Sequence, residues 1–241
     1  MVLVIDVGNT KIKAAVFEQD TLILREEITK DFFLKELKKI FKKNKLIQKT
    51  IISSVANVSD EILYYLQNKT HLFHVTTETQ FPFENKYETP MTLGIDRKVL
   101  VTGAVLKYPE QNVLIIDAGT CITYDFVDAH KKYFGGAISP GLTIRYKALN
   151  HYTSKLPHLL PEYPNSIIGN STYQSMHSGV VNGILYEIEG FINDYLRQYE
   201  HLTIILTGGD ALFLAKRLKN PIFANSNFLL ESLNLLYLYN T

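Results

Sequence analysis

The sequence predicts an α/β protein of two related domains with a cleft between them, on three observations. An apolar strand that ends in an acid and a glycine turn occurs twice. Val2-Leu3-Val4-Ile5-Asp6-Val7-Gly8 and Val113-Leu114-Ile115-Ile116-Asp117-Ala118-Gly119 superpose without a gap. Each copy runs on into alternating residues that read as antiparallel strands, and then into helix and strand patterns in turn. The length of 241 residues, with 46% hydrophobic and 20% charged residues, supplies core material for more than one domain. The repeat puts the seam near 108–112 and gives domains of 1–110 and 111–241.

In chain order, Val2–Val7 and Ile12–Phe17 read as a hairpin joined by Gly8-Asn9-Thr10, with a third strand over Thr21–Ile28. Asp31 opens an amphipathic helix to about Lys43, Thr50–Ser54 is a short buried strand, and Ser59 starts a helix to about Gln67. Leu72–Thr76 is the next strand. Residues 77–95, with Phe81, Pro82, Phe83, Tyr87 and Pro90, are too long for a mere connector, which makes them a candidate binding loop. Helical spacing then runs from Asp96 to about Leu106. The second half reads as strands over 112–118, 121–127 and 133–139, and a helix over 142–150. An irregular stretch over 151–170 precedes one long helix from Ser171 to Tyr199. Gly179 and Gly183 on one face of that helix would admit a close neighbour. A buried strand over Leu202–Thr207 enters Gly208-Gly209, and a helix, a short strand near Phe223 and a C-terminal helix finish the chain.

Bulk chemistry excludes several classes. Lysines and arginines number 25 against 24 acids, so no net field recruits nucleic acid or membrane. The lysine cluster from Lys35 to Lys49 alternates with Phe33, Leu37, Ile40 and Phe41, as a solvated helix face does. The single cysteine, Cys121, forms no intrachain disulfide, and its place in a strand reads as a small buried hydrophobe. No secretory pattern or long apolar run is present, so the expected compartment is the reducing cytoplasm. Phosphate-loop, G-x-G-x-x-G, nucleophile-elbow and H-E-x-x-H motifs are absent.

The residues that carry chemistry are the two hairpins and the start of the helix at Asp96. A hairpin backbone with threonine hydroxyls can cradle a phosphate, and a strand-end acid can hold a cation directly or through water. Either hairpin alone could equally be a structural turn. The repeat of an acid at the same place favours the phosphate role. Asp96 has two readings from the residues alone, a helix N-cap and a general base for an alcohol. Arg97 beside it suits a bidentate carboxylate contact.

Six stretches in order resemble the type III pantothenate kinases, within the superfamily of acetate and sugar kinases, heat-shock chaperone ATPases and actin. They are Asp6-Val7-Gly8-Asn9-Thr10, Gly94-Ile95-Asp96-Arg97, Asp117-Ala118-Gly119-Thr120-Cys121-Ile122-Thr123, Gly135-Gly136-Ala137-Ile138-Ser139-Pro140-Gly141, Ser171-Thr172 with Ser178-Gly179, and Thr207-Gly208-Gly209. The resemblance implies two ribonuclease H-like (actin-like ATPase) domains and ATP-dependent phosphorylation of pantothenate to 4′-phosphopantothenate, the first step toward coenzyme A. It implies ATP contacts at Asp6, Gly8, Asn9, Thr10, Lys11, Lys13, Thr120, Gly208 and Gly209. Substrate contacts would fall at Tyr87, Gly94, Ile95, Asp96, Arg97 and Thr172, with Asp96 as the base. It further implies a monovalent cation (K⁺ or NH₄⁺) at Asp117, Mg²⁺ near Asp6, and a homodimer. Thr89, Ser175 and His177 depart from the residues commoner in that family, and His177 reads as a packing or surface residue. Two rival readings stand beside this one: a catalytically silent nucleotide-binding regulator on the same fold, and a kinase for another small hydroxyl compound.

Overall fold

Every residue of the first strand, β1 (Val2–Val7), is buried, as a Val/Leu/Ile run at the centre of a sheet requires. In the computed structural model, which describes residues 1–241, β1 pairs antiparallel with β2 (Ile12–Glu18), and β2 pairs antiparallel with β3 (Thr21–Ile28). A 3₁₀ turn over Lys30–Phe32 leads into α1 (Phe33–Lys43), which returns the chain to β4 (Lys49–Ser54), parallel to β1. Parallel pairing needs such a crossover. Helix α2 (Asp60–Lys69) makes the next one, to β5 (His71–His74), parallel to β4. The order across the sheet is β3-β2-β1-β4-β5.

Helix α1 buries Phe33, Leu37 and Ile40 and leaves Lys35, Lys38, Lys39, Lys42 and Lys43 exposed. The spacing of three and four residues puts the three apolar side chains on one stripe. Each contributes roughly 1.5–3 kcal/mol by leaving water. The loop over 77–95 holds one two-residue strand, β6 (Glu84–Asn85), before α3 (Ile95–Lys107), whose residues Arg97 to Val105 are all buried.

The second half repeats these pairings. β7 (Asn112–Ala118) pairs antiparallel with β8 (Cys121–Val127), which pairs antiparallel with β9 (Lys132–Pro140). Helix α4 (Leu142–His151) follows. Next comes a helical stretch of α5 (Thr172–His177), a π-helical segment over Ser178–Asn182, and α6 (Gly183–Gln198). β10 (Leu202–Thr207) lies parallel to β7, and after α7 (Ala211–Ala215) β11 (Phe223–Ala224) lies parallel to β10. These five strands run β11-β10-β7-β8-β9. That is the order of the first sheet, strand for strand, so the repeat read in the two Asp-x-Gly segments is a repeat of topology.

The last helix, α8 (Phe228–Tyr239), returns to the first unit. The chain divides into Met1–Lys107 with Asn227–Thr241, and Tyr108–Ser226. By contacts the division falls at Lys107/Tyr108, and residues 227–241 group with the first unit. Asn234 Nδ2 donates to the Gln19 carbonyl at 2.8 Å, and the Tyr237 ring meets Phe73 edge-on at 6.1 Å. Against α3, a Cβ on Gly103 would overlap the Ser232 side chain, so the two helices cross where only glycine fits.

Two expectations need correction. Cys121 is exposed, because it opens β8 at the turn instead of sitting in the strand interior. The long helix over 171–199 is interrupted by its π segment, which inserts a wider turn. Within this chain the Gly179 and Gly183 face is open, as small residues that would admit a neighbour leave it. A Cβ on Gly179 would meet open space, and one on Gly183 would meet only Arg145 Nη1 at 4.0 Å. No helix is long and apolar enough to cross a membrane.

Candidate active site

Asp6 stands at the end of β1, with Lys13 opposite it on β2 and Ser53 beside it on β4. It is 6% exposed, and Ser53 Oγ donates to its Oδ1 at 3.1 Å. Burial pushes its carboxyl up to about 6; Lys13 and the Ser53 hydrogen bond oppose the rise, and the charge of Asp96 adds to it. The turn that follows is closed by the Gly8 N–H donating to the Lys11 carbonyl at 3.1 Å. A Cβ on Gly8 would lie 2.9 Å from that oxygen, which explains the glycine. Asn9, Thr10 and Lys11 are exposed on the turn, and Lys11 Nζ pairs with Glu27 at 2.8 Å. The hairpin thus presents backbone, hydroxyl and ammonium groups beside one buried acid.

The start of α3 brings the second group together in the same unit. Asp96 lies in the first helical turn, where its Oδ1 accepts the Arg97 N–H at 2.8 Å. The carboxylate folds back over Gly94, at the place a Cβ there would occupy. Arg97 is 5% exposed, and its guanidinium carbon lies 5.6 Å from the centroid of the Tyr87 ring. Tyr87 is fixed in turn by its N–H, which donates to Asn85 Oδ1 at 3.0 Å. The Thr89 that departs from the family pattern closes the next turn, since Thr92 Oγ1 donates to Thr89 Oγ1 at 2.8 Å. Tyr87, Gly94, Ile95, Asp96 and Arg97 therefore form one cluster, and Asp6 is near enough to feel the Asp96 charge.

In the second unit, Asp117 ends β7 as Asp6 ends β1. The turn after it is closed by the Gly119 N–H donating to the Cys121 carbonyl at 2.9 Å. Thr120 is exposed, and its carbonyl accepts the Gly141 N–H at 3.0 Å. Gly208 adopts φ +97°, a left-handed value, and a Cβ there would overlap the Ala118 carbonyl and crowd Asp117 Oδ1. Gly209 is exposed with open space about it, so backbone is accessible there. Thr172 opens α5 and lines an apolar groove of about 800 Å³ with Leu149, Tyr152, Met176 and Val180. The capping hydroxyl of α5 is that of Ser171, which accepts the Gln174 N–H at 3.3 Å and leaves the Thr172 hydroxyl without that duty. His177 is buried, with Nδ1 2.8 Å from the Tyr146 hydroxyl, a packing role.

Ser53 was not singled out in the sequence, although a polar residue ending a buried strand is the same signal that marks Asp6. Arg145 was also missed. It binds the Pro140 carbonyl at 2.8 Å and Ser139 Oγ at 2.9 Å and pairs with Glu187, which also accepts from the Tyr124 hydroxyl at 2.9 Å. This network fixes the end of β9 to α4 and α6.

A family model described as type III pantothenate kinase matches residues 2–194. The chain is 53% identical over 239 residues to the type III pantothenate kinase of Flavobacterium johnsoniae, covering 99% of this chain and 98% of that one. This chain belongs to the type III pantothenate kinase family. A family member from Christiangramia forsetii is 47% identical over 240 residues, with 100% and 99% coverage. Two solved structures share the fold. One is a Campylobacter jejuni protein described as a Baf family transcriptional activator, with TM-score 0.66, 21% identity and coverage of 99% and 98%. The other is the activator of 2-hydroxyisocaproyl-CoA dehydratase from Clostridium difficile, with TM-score 0.55, 14% identity and coverage of 99% and 93%. Membership in the type III family and this fold agree with the two units of matched topology described above.

Proposed function

We propose that this chain transfers the γ-phosphoryl group of ATP to the primary alcohol of pantothenate, giving 4′-phosphopantothenate and ADP. This is the first step of coenzyme A biosynthesis. The observation that carries the proposal is the cluster at the start of α3, in a chain of this family. Asp96, held by the Arg97 N–H, stands beside an arginine that is itself held on Tyr87. In this reading Asp96 takes the proton as the alcohol oxygen bonds to phosphorus and the bond to the ADP oxygen breaks. Arg97 receives the pantothenate carboxylate, and Gly94, Ile95, Tyr87 and Thr172 complete recognition of that substrate. The hairpin residues Asp6, Gly8, Asn9, Thr10, Lys11 and Lys13 hold ATP phosphates, as does Thr120, and Gly208-Gly209 lets backbone approach the adenosine.

The donor set fits the implied cations. No group of three or more His, Cys, Asp or Glu side chains is placed as a metal cage, so phosphate and water would complete any shell. A buried carboxylate at Asp6, raised further by the Asp96 charge, suits a divalent cation that relieves that repulsion. When bound, Mg²⁺ would neutralise charge on the phosphates. Asp117, a single carboxylate, suits K⁺ or NH₄⁺. A homodimer in the cytoplasm belongs to the same reading.

A coupled assay with ATP, Mg²⁺ and pantothenate, with and without K⁺, tests it. Turnover is expected, and Asp96→Asn is expected to retain ADP binding while losing 10²–10⁴-fold in kcat. Absence of turnover in every condition would overturn the kinase reading in favour of a silent regulator. Turnover with another alcohol alone would replace pantothenate as substrate. Light scattering of the purified chain checks the dimer.

A further inference from the structure

The end of β4 grips the end of β1 at two consecutive residues. Asp6 pairs with Ser53, and Val7 with Ser54, in the parallel register. Ser53 Oγ donates to Asp6 Oδ1 at 3.1 Å, and the Val55 N–H donates to the Val7 carbonyl at 3.2 Å. One bond fixes the carboxylate, and the other fixes the backbone just before the Gly8 turn.

Ser53 is 1% exposed. On its face of the sheet the row next to it is Ala15, Val4 and Ile51, all buried. Alanine or valine would bury there with no hydroxyl to satisfy, so the serine answers to the acid opposite it. Strand pairing alone does not produce the bond. Thr207 holds the equivalent place in the second unit, opposite Asp117 on the strand that matches β4. Its hydroxyl is buried without a hydrogen-bond partner.

We propose that Ser53 is a positioning residue for the phosphate hairpin, holding Asp6 Oδ1 so that Oδ2 is presented to the divalent cation that accompanies ATP. The proposal rests on the reading of Asp6 as the acid beside that cation, and it adds the residue that sets the acid's orientation. The last torsion of an aspartate is broad and two-fold. An unheld Asp6 would swing between orientations, and each binding event would bear the cost of ordering it. The Ser53 hydroxyl meets that cost in the folded chain, as hydrogen-bond partners of metal-facing carboxylates do.

The test is ADP binding to the full chain by calorimetry, with Mg²⁺ and with EDTA, beside the Mg²⁺ dependence of turnover. Wild type is expected to bind ADP more tightly with Mg²⁺. Ser53→Ala should lose most of that gain and need about 10- to 100-fold more Mg²⁺ for half-maximal turnover. Its ADP affinity in EDTA should stay as in wild type, and an equal loss with and without Mg²⁺ would overturn the proposal. Ser53→Thr, which keeps the hydroxyl, should retain the gain. Ser53→Cys, close in shape but a weak donor, should lose it, and decides the matter if the alanine variant does not fold. If the alanine and cysteine variants keep the gain while Asp6→Asn loses it, the Ser53 assignment fails and the Asp6 reading stands. If wild type shows no gain, or Asp6→Asn keeps it, both fail.

Discussion

The guanidinium of Arg97 lies over the ring of Tyr87, 5.6 Å from its centroid, so two residues assigned to one substrate hold each other. A cation–π contact of this kind contributes roughly 0.5–2 kcal/mol. Tyr87→Ala should raise KM for pantothenate by about 3- to 30-fold, with the KM for ATP little changed. Tyr87→Phe, which keeps the ring, should stay within about 2-fold of wild type. Equal losses in both variants would show that the hydroxyl, and not the ring, does the work.

Asp6 gives a pH prediction with a definite sign. Its carboxyl is pushed up from 3.8 to about 6, chiefly by burial, so the folded chain holds that proton more tightly than the unfolded one. The stabilisation from holding it is present below about pH 4 and is lost as pH rises to about 6. Above that, an ionised Asp6 costs on the order of 3 kcal/mol. Asp6→Asn carries no such cost. The variant is expected to melt above wild type at pH 7–8, with the gap shrinking between pH 6 and pH 4. A gap that does not change across that window would refute the assignment.

Gly94→Ala tests how closely the base is positioned. The new methyl would take the space that the Asp96 carboxylate fills, so Asp96 must rotate away from the Arg97 N–H. A displaced base is expected to lower kcat about 10- to 100-fold. Calorimetric ADP affinity should remain as in wild type, and loss of both together would point to wider damage.

Gly103→Ala sets packing against propensity. Alanine favours a helix interior by about 1 kcal/mol over glycine. Here the added Cβ would overlap Ser232 and come within 3.2 Å of the Phe228 ring. The variant is expected to lose roughly 1–3 kcal/mol in urea denaturation, as overpacked cores do. Ser232→Gly in the same chain should restore most of the loss.

The two hairpins were legible because strand alternation, a terminal acid and a turn glycine are all local signals, and the structure puts Asp6 opposite Lys13 and Asp117 opposite Thr123. Sequence spacing also placed Tyr87 and Arg97 in one loop-and-helix segment, but not the ring against the guanidinium. Ser53 lies 47 positions from Asp6, and Thr207 lies 90 from Asp117, so their adjacency depends on which strands pair in parallel. No local pattern encodes that. Cys121 misled because strand membership alone does not separate a strand's first residue from its middle. The destination of α8 was hidden for a related reason. Its apolar residues fix that it is buried, while its partner α3 is set by contacts over more than 100 positions.

The return of α8 to the first unit makes the chain's order of synthesis matter. Tyr108–Ser226 is one continuous stretch, so all of its internal contacts can form without any residue from 227 onward. The first unit, although most of it is translated earlier, must wait with the α3 surface around Gly103 uncovered until Phe228–Tyr239 emerges. The body that carries Asp6 and Asp96 is therefore sealed by a segment made after the whole of the other unit.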